Sequence, residues 1–133
     1  MAEVTVLVET EIKPTESEEK VKIAVCNMLG NLSLTNTPEG KIHLLTGQAS
    51  GQDSLIKFRN LLRNDRIRDA SRKALFHSIR GDTIRFCLNK QVAYVGHVSF
   101  CEETAESPLG PIQVTITSDN PRQLIDWLAE KTV

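Results

Sequence analysis

The sequence has 133 residues, of which 40% are hydrophobic and 25% are charged, and its formal net charge is −1. This composition predicts a single globular domain, residues 1–133, with its own hydrophobic core, and it excludes a disordered chain. No apolar run reaches the roughly 18 residues that a membrane span needs, and acids stand where a secretory signal would be positive, so we expect a cytoplasmic protein.

A strand and a helix are predicted at the start of the chain. Residues 3–12 alternate between apolar and polar, with valines on one face. Thr15 and Glu18 match a capping box at the start of a helix at about 16–29, and Gly30 is a typical helix stop. The helical face that we expect to be buried comprises Val21, Ala24, Val25, Met28 and Leu29.

A second strand is predicted at 41–48, with Ile42 and Leu44 on one face. The preceding residues, 31–40, are rich in turn formers, and their structure is ambiguous. The TGQASG segment at 46–51 resembles a loop that approaches a helix start. Such a loop could hold one phosphate on its backbone amides, although similar loops precede many helices.

Two consecutive helices are predicted at about 53–63 and 66–79, with a bend near Asp65 that could cap the second helix. A single kinked helix is the alternative. The apolar positions that we expect to face inward are Leu55, Phe58 and Leu62 in the first helix and Ala70, Ala74 and Leu75 in the second. Such packing directs the basic side chains of both helices toward solvent.

The last third of the chain predicts three strands and a closing helix. Strands at 83–88 and 92–100 flank the polar connection 89–91, which favours a hairpin. The last strand, 112–117, alternates strictly, and a helix begins just before Pro121. The order β-α-β-α-α-β-β-β-α favours an α+β fold, in which helices pack on one face of a mostly antiparallel sheet.

The basic residues are concentrated in one segment. Ten of the sixteen lie between Lys57 and Lys90, beside only three acids, and arginine outnumbers lysine seven to three. Such a segment is typical of a protein that binds a phosphate backbone, and the planar guanidinium suits phosphate oxygens. Because aromatic residues are scarce, structured RNA that is recognised by shape is favoured over base stacking. The predicted RNA contacts are Arg63, Arg66, Arg68, Arg72, Lys73, Arg80, Arg85 and Lys90.

The position of two of these residues is predicted separately from the helices. Lys90 is expected at the exposed tip of the hairpin, with Arg85 projecting from the sheet beside it.

Two alternatives to RNA binding remain. The charged face could be solvated, or it could meet an acidic partner surface in a homodimer, for example the run Glu102–Glu106. A small-molecule enzyme is less favoured, and its site would lie near His77, His97 and the same acidic run.

Motifs for cofactors and metals are absent from the sequence. There is no GxxxxGK[ST] or GxGxxG pattern, and the three histidines lie far apart. We therefore predict no cofactor, no metal and no catalytic residue. The three cysteines have no CxxC spacing and are expected to be buried small hydrophobes, namely Cys26, Cys87 and Cys101.

Two segments resemble an uncharacterised archaeal protein family. They are LNKQVAYVGHVSF at Leu88–Phe100 and ESPLGPIQVTI at Glu106–Ile116, and SPLGPI is the most specific part. The first strand, the Pro14–Leu29 helix and the two basic helices extend the resemblance to essentially the whole chain. It implies an α+β fold similar to that of the large-subunit ribosomal protein that binds 5S ribosomal RNA, an RNA-binding function and a homodimer. It implies no catalytic residue.

Overall fold

The computed structural model describes residues 4–30, 32–64, 67–101 and 110–130, whose seven strands form one antiparallel sheet. The strands are β1 Val4–Ile12, β2 Ser33–Glu39, β3 Ile42–Ser50, β4 Ile79–Arg80, β5 Thr83–Asn89, β6 Phe100–Cys101 and β7 Pro111–Ser118. The helices are α1 Glu18–Leu29, α2 Ile56–Asn64, α3 Arg68–His77, α4 Lys90–Tyr94 and α5 Pro121–Leu128, and a 3-10 turn at Gln52–Leu55 precedes α2. The predicted α+β class is confirmed.

The strand order in the sheet is β2-β3-β1-β7-β5, and two short strands complete the last edge. The first strand therefore lies in the middle, where Val8 is opposite Gly47 of β3 and Val114 of β7. At the edge, β4 pairs with the start of β5 and β6 with its end. This topology joins strands from both ends of the chain.

One face of the sheet is buried by the helices. Even-numbered residues of β1, β5 and β7 contribute to the core, as predicted for β1 and β7. These residues are Val4, Val6, Val8, Ile84, Phe86, Leu88, Ile112, Val114 and Ile116. The opposite face, which we call the open face, carries Leu7, Glu9 and Arg85, all exposed. An antiparallel sheet with a single covered face produces this alternation.

The first helix agrees with its prediction except at its N-terminus. The five positions that we expected to be buried are buried. The N-cap is Ser17, whose Oγ accepts a hydrogen bond from the backbone N–H of Lys20, so the predicted capping box at Thr15 is wrong. Gly30, with φ of 80°, ends the helix at the expected place.

The strand pair β2–β3 resolves one ambiguity of the sequence and corrects one prediction. The ambiguous residues 31–40 contain the edge strand β2, and the predicted TGQASG loop is instead the end of β3. The buried residues of β3 are Leu45 and Gly47, because the pairing of Gly47 with Val8 places odd-numbered residues of β3 over the core. Ile42 and Leu44 share the other face, as predicted, and are partly buried.

The two basic helices α2 and α3 are separate, as predicted. Phe58 and Leu62 of α2 are buried as expected, and Leu75 is buried in α3. Ala70 is exposed and Ser71 is buried instead, so the inward face of α3 is rotated by one residue from the prediction. The predicted capping residue Asp65 lies outside the described residues.

The hairpin that we predicted at 89–91 is wrong. The side-chain oxygen of Asn89 accepts a hydrogen bond from the backbone N–H of Val92 at 3.0 Å and caps the short helix α4. Asn is as favourable at a helix N-cap as in a turn, which explains why the local sequence was misread. The later pairing of β6 with β5 is antiparallel and, as far as the chain is described, includes two residues of each strand.

We predict that Gly47→Ala lowers the free energy of unfolding by about 1–3 kcal/mol, the usual cost of overpacking a core. A Cβ atom at Gly47 would lie 2.6 Å from Cδ2 of Leu34 and 3.0 Å from Cγ1 of Val8. Urea unfolding monitored by circular dichroism measures the change. The neighbouring exposed change Gln48→Ala is the control, and an equal effect of both substitutions would contradict the close packing at Gly47.

Candidate nucleic-acid interface

Three helices place their arginines on one surface of the molecule, because α5 packs against both α2 and α3. We call this the arginine surface, and we define it by Arg59 and Arg63 of α2, Arg68 and Arg72 of α3, and Arg122 of α5. The contacts of these side chains decide how much of their charge is available to a partner.

Arg59 fastens α2 to the closing helix. Its Nε donates a hydrogen bond to the carbonyl oxygen of Trp127 at 2.9 Å, and its Nη2 lies 2.7 Å from Oε1 of Glu130. The guanidinium carbon also lies 5.1 Å from the centre of the Trp127 ring, within cation–π range. Arg59 is therefore half-buried in internal contacts, and our expectation that it points to solvent is wrong.

Arg72 connects α3 to the closing helix, as Arg59 does for α2. Its Nη1 donates to the carbonyl oxygen of Ala129 at 3.2 Å, and its Nη2 lies 2.5 Å from Oδ1 of Asp126. The guanidinium carbons of Arg72 and Arg122 lie 4.8 and 5.6 Å from the centre of the Phe76 ring. Two arginines from different helices thus share one aromatic ring, with one carboxylate beside them.

Three arginines lower the pKa of the Glu130 carboxyl. The hydrogen bond from Arg59 lowers the pKa of this carboxyl, and the positive charges of Arg59, Arg63 and Arg68 lower it further. Since the Arg59–Glu130 and Arg72–Asp126 pairs are partly solvent-exposed, each contributes little to the free energy of unfolding. Asp126 of α5 and Glu130 therefore neutralise part of the arginine charge, and the arginines that they contact stay partly exposed.

The predicted helical contacts are only partly brought together. Arg63 and Lys73 are exposed, and Arg68 and Arg72 are partly buried. All four lie on α2 or α3, the two helices that pack against α5. Arg66 lies outside the described residues.

Arg80 and Arg85 lie beyond the C-terminal end of α3, at the edge of β5. They line a cavity of about 410 Å³ together with His77 and the Cys87–Cys101 pair. Nη1 of Arg80 donates to the carbonyl oxygens of His77 and Ile79, and Nη2 of Arg85 donates to Oε1 of Gln113 at 3.3 Å. These two predicted contacts therefore form a second basic cluster.

The placement of Lys90 at an exposed tip is wrong. Its side chain is 4% exposed, and its Nζ donates to the carbonyl oxygen of Glu11 at 2.6 Å and to Oε1 of Glu16 at 3.0 Å. Burial lowers the pKa of Lys90, and the hydrogen bond with Glu16 opposes that shift. Lys90 is the first residue of α4, and its contacts connect this helix to the segment before α1. Its charged group does not face solvent.

The groups of the enzyme alternative are not gathered at one place. His77 lines the cavity at the β5 edge, whereas His97 lies in the connection between α4 and β6 and does not line it. The run Glu102–Glu106 lies outside the described residues. Among the residues that are described, no three His, Cys, Asp or Glu side chains are arranged to hold a metal ion.

The helices of the described chain are too short or too polar to cross a membrane.

Sequence reasoning missed the contribution of the closing helix. Arg122, Asp126 and Glu130 lie outside the basic segment, so a count limited to that segment omits them. The sequence did indicate that Arg122 is exposed, since this residue follows Pro121 on the outward side of a correctly predicted helix. The sequence could not predict which arginines contact α5 and the residue after it, because these arginines lie more than 50 residues away along the chain.

Comparison with known proteins places the chain among archaeal relatives. A family model described as RNA binding matches residues 5–118. The UPF0201 protein of Metallosphaera sedula is 42% identical over 127 residues, which cover 96% of this chain and 88% of that protein. The crystal structure of the UPF0201 protein from Methanococcus jannaschii has a TM-score of 0.85 at 32% identity, with coverage of 97% and 95% of the two chains. A DUF54 protein from Methanothermobacter thermautotrophicus shares the fold, with a TM-score of 0.65 at 19% identity over 91% of this chain and 90% of that chain.

We predict that Lys90→Met lowers the free energy of unfolding by about 3–5 kcal/mol, because the change leaves the buried carboxylate of Glu16 without its counter-charge. The double variant Lys90→Met/Glu16→Gln should lose less, since no buried charge remains unpaired. Urea unfolding measures both. Lys20→Met, at an exposed lysine of α1, is the control, and a loss for Lys90→Met no larger than for this control would contradict the assignment.

Proposed function

This chain belongs to the archaeal UPF0201 family, and its matching family model is described as RNA binding; on that premise we propose that it binds structured RNA in the cytoplasm and catalyses no reaction. The proposal includes the ribosomal-protein-like fold that the resemblance implies. Recognition would depend on phosphate contacts and on the shape of the RNA.

The arginine surface is the observation that carries the proposal. The guanidinium groups of Arg72 and Arg122 share the Phe76 ring, and Arg59, Arg63 and Arg68 all act on the carboxyl of Glu130. Planar guanidinium groups are well suited to phosphate oxygens, and several of them on one helical surface can contact more than one phosphate of a backbone.

The residues of this surface have different roles in the proposal. Arg63 and Lys73 are exposed and contact phosphates directly, and Arg68 supports them. Arg59 and Arg72 position the surface, because they hold α2 and α3 against α5. Arg80 and Arg85 extend the contacts beyond the end of α3, whereas Lys90 is left out because it is buried.

A solvated or dimer-facing role for the same charges is the alternative. Carboxylates of the chain's own closing segment already engage Arg59 and Arg72, so these arginines need no acidic partner subunit. The homodimer that the resemblance implies is therefore proposed to form elsewhere. A dimer of that kind leaves both arginine surfaces uncovered and offers them to one RNA.

We predict that Arg63→Gln/Lys73→Gln weakens RNA binding by roughly tenfold per residue replaced, since a charge-assisted contact contributes about 1.5 kcal/mol. Fluorescence anisotropy with 5S ribosomal RNA and with transfer RNA, each over a salt series, measures the affinity. The slope of log K against log salt concentration should fall by about 1 for each phosphate contact that is lost.

The matched control is Lys20→Gln/Lys41→Gln, which removes the same charge from exposed positions on α1 and the β2–β3 turn. It should change affinity far less than Arg63→Gln/Lys73→Gln. Equal losses in both double variants would mean that only net charge matters. No binding of either RNA by the unaltered chain at low salt would contradict RNA binding itself for these ligands.

A further inference from the structure

Two of the three cysteines face each other across a pair of strands. In the antiparallel register of β5 and β6, Cys87 is directly opposite Cys101, and both carry thiols. Directly opposed residues of an antiparallel pair lie on the same face of the sheet. The two cysteines are therefore close in space although 14 positions separate them in the sequence.

The spacing of such a pair suits a covalent link. The backbone N–H of Asn89 donates to the carbonyl oxygen of Ser99, two residues further along both strands, so Cys87 and Cys101 occupy a hydrogen-bonded pair position. Opposed Cα atoms in such a position are about 5.5 Å apart, inside the range of about 4.4–6.8 Å that disulfides span. The Cβ atoms need to approach by up to about 1 Å, which a two-residue edge strand can provide.

The two thiols also differ in access. Cys87 is buried, whereas Cys101 is only partly buried, and both line the cavity at the β5 edge. This cavity, of about 410 Å³, gives a small reagent a way to Cys101, and Arg80 and Arg85 on its wall favour an anionic reagent.

From this geometry we propose that Cys87 and Cys101 are a modification site that forms an intramolecular disulfide by exchange with a low-molecular-weight disulfide. The Cys101 thiolate attacks one sulfur of the reagent, which forms a mixed disulfide and releases one reagent thiolate. The Cys87 thiolate then attacks the Cys101 sulfur, which closes the protein disulfide and releases the second reagent thiolate. The two protons that the cysteines lose are taken up by the two leaving thiolates, so two cysteines are oxidised and one reagent disulfide is reduced.

The modification would fasten an otherwise weakly held edge. Within the described residues, strand β6 pairs with β5 through two residues, and a cross-link would hold it against β5 when the local hydrogen bonds open. It would also fix one wall of the cavity that Arg80 and Arg85 line. The inference does not depend on RNA binding.

The test uses the full reduced chain incubated with oxidised glutathione, followed by thiol counting after denaturation, intact mass and peptide mapping. We expect the count to fall from the three thiols of the sequence to one. The mass should fall by two hydrogen atoms, and one peptide should join Cys87 to Cys101. Dithiothreitol should reverse the change. Burial raises the pKa of the Cys101 thiol, so the reaction should accelerate as the pH rises and the thiolate fraction grows.

Substitutions separate this site from the third cysteine. Cys26→Ser should leave the oxidation unchanged, whereas Cys101→Ala should abolish both the link and the first attack. The oxidised chain should melt roughly 5–10 °C higher than the reduced chain, because the link closes a short loop. A stable glutathione adduct on Cys101 with an intact Cys87 thiol, a link that includes Cys26, or a link between two chains would overturn the proposal.

Discussion

The packing of the closing helix α5 against α2 and α3 determines the charge that the molecule offers to a partner. Arginines fasten these helices together, through Arg59 to Trp127 and Glu130 and through Arg72 to Asp126 and Ala129. The ion pairs are partly exposed and therefore weak. In the proposed function these two arginines hold the helices in place, and the exposed Arg63 and Lys73 contact the phosphates.

The sheet places two acids of the chain on the side opposite this surface. Because only one face of the sheet is covered, the odd-numbered residues of β1 face the other side, where Glu9 and Glu11 are exposed. The helical layer carries most of the basic segment. In the proposed function the basic helices attract RNA, and Arg85 is a predicted contact on the open face.

Elements with a strong apolar period were predictable from the sequence, and elements defined by distant partners were not. The valines of β1 and the inward face of α1 needed only periodicity. Strand β2 is polar and lies at an edge, so its pattern resembles a loop. Lys90 was placed wrongly because its counter-ion, Glu16, is 74 residues away along the chain. The same distance effect hid the contacts of Arg59, which lies 68 residues before Trp127.

The measurement that tests the central claim most directly is an NMR titration of the isotope-labelled chain with a short RNA hairpin. The account predicts that the largest chemical-shift changes occur in α2, α3 and α5, including the side-chain Nε–H groups of arginines on the arginine surface. It predicts little change for Leu7 and Glu9 on the open face. Shift changes concentrated on the open face of β1 and β7, with the three helices unaffected, would contradict it.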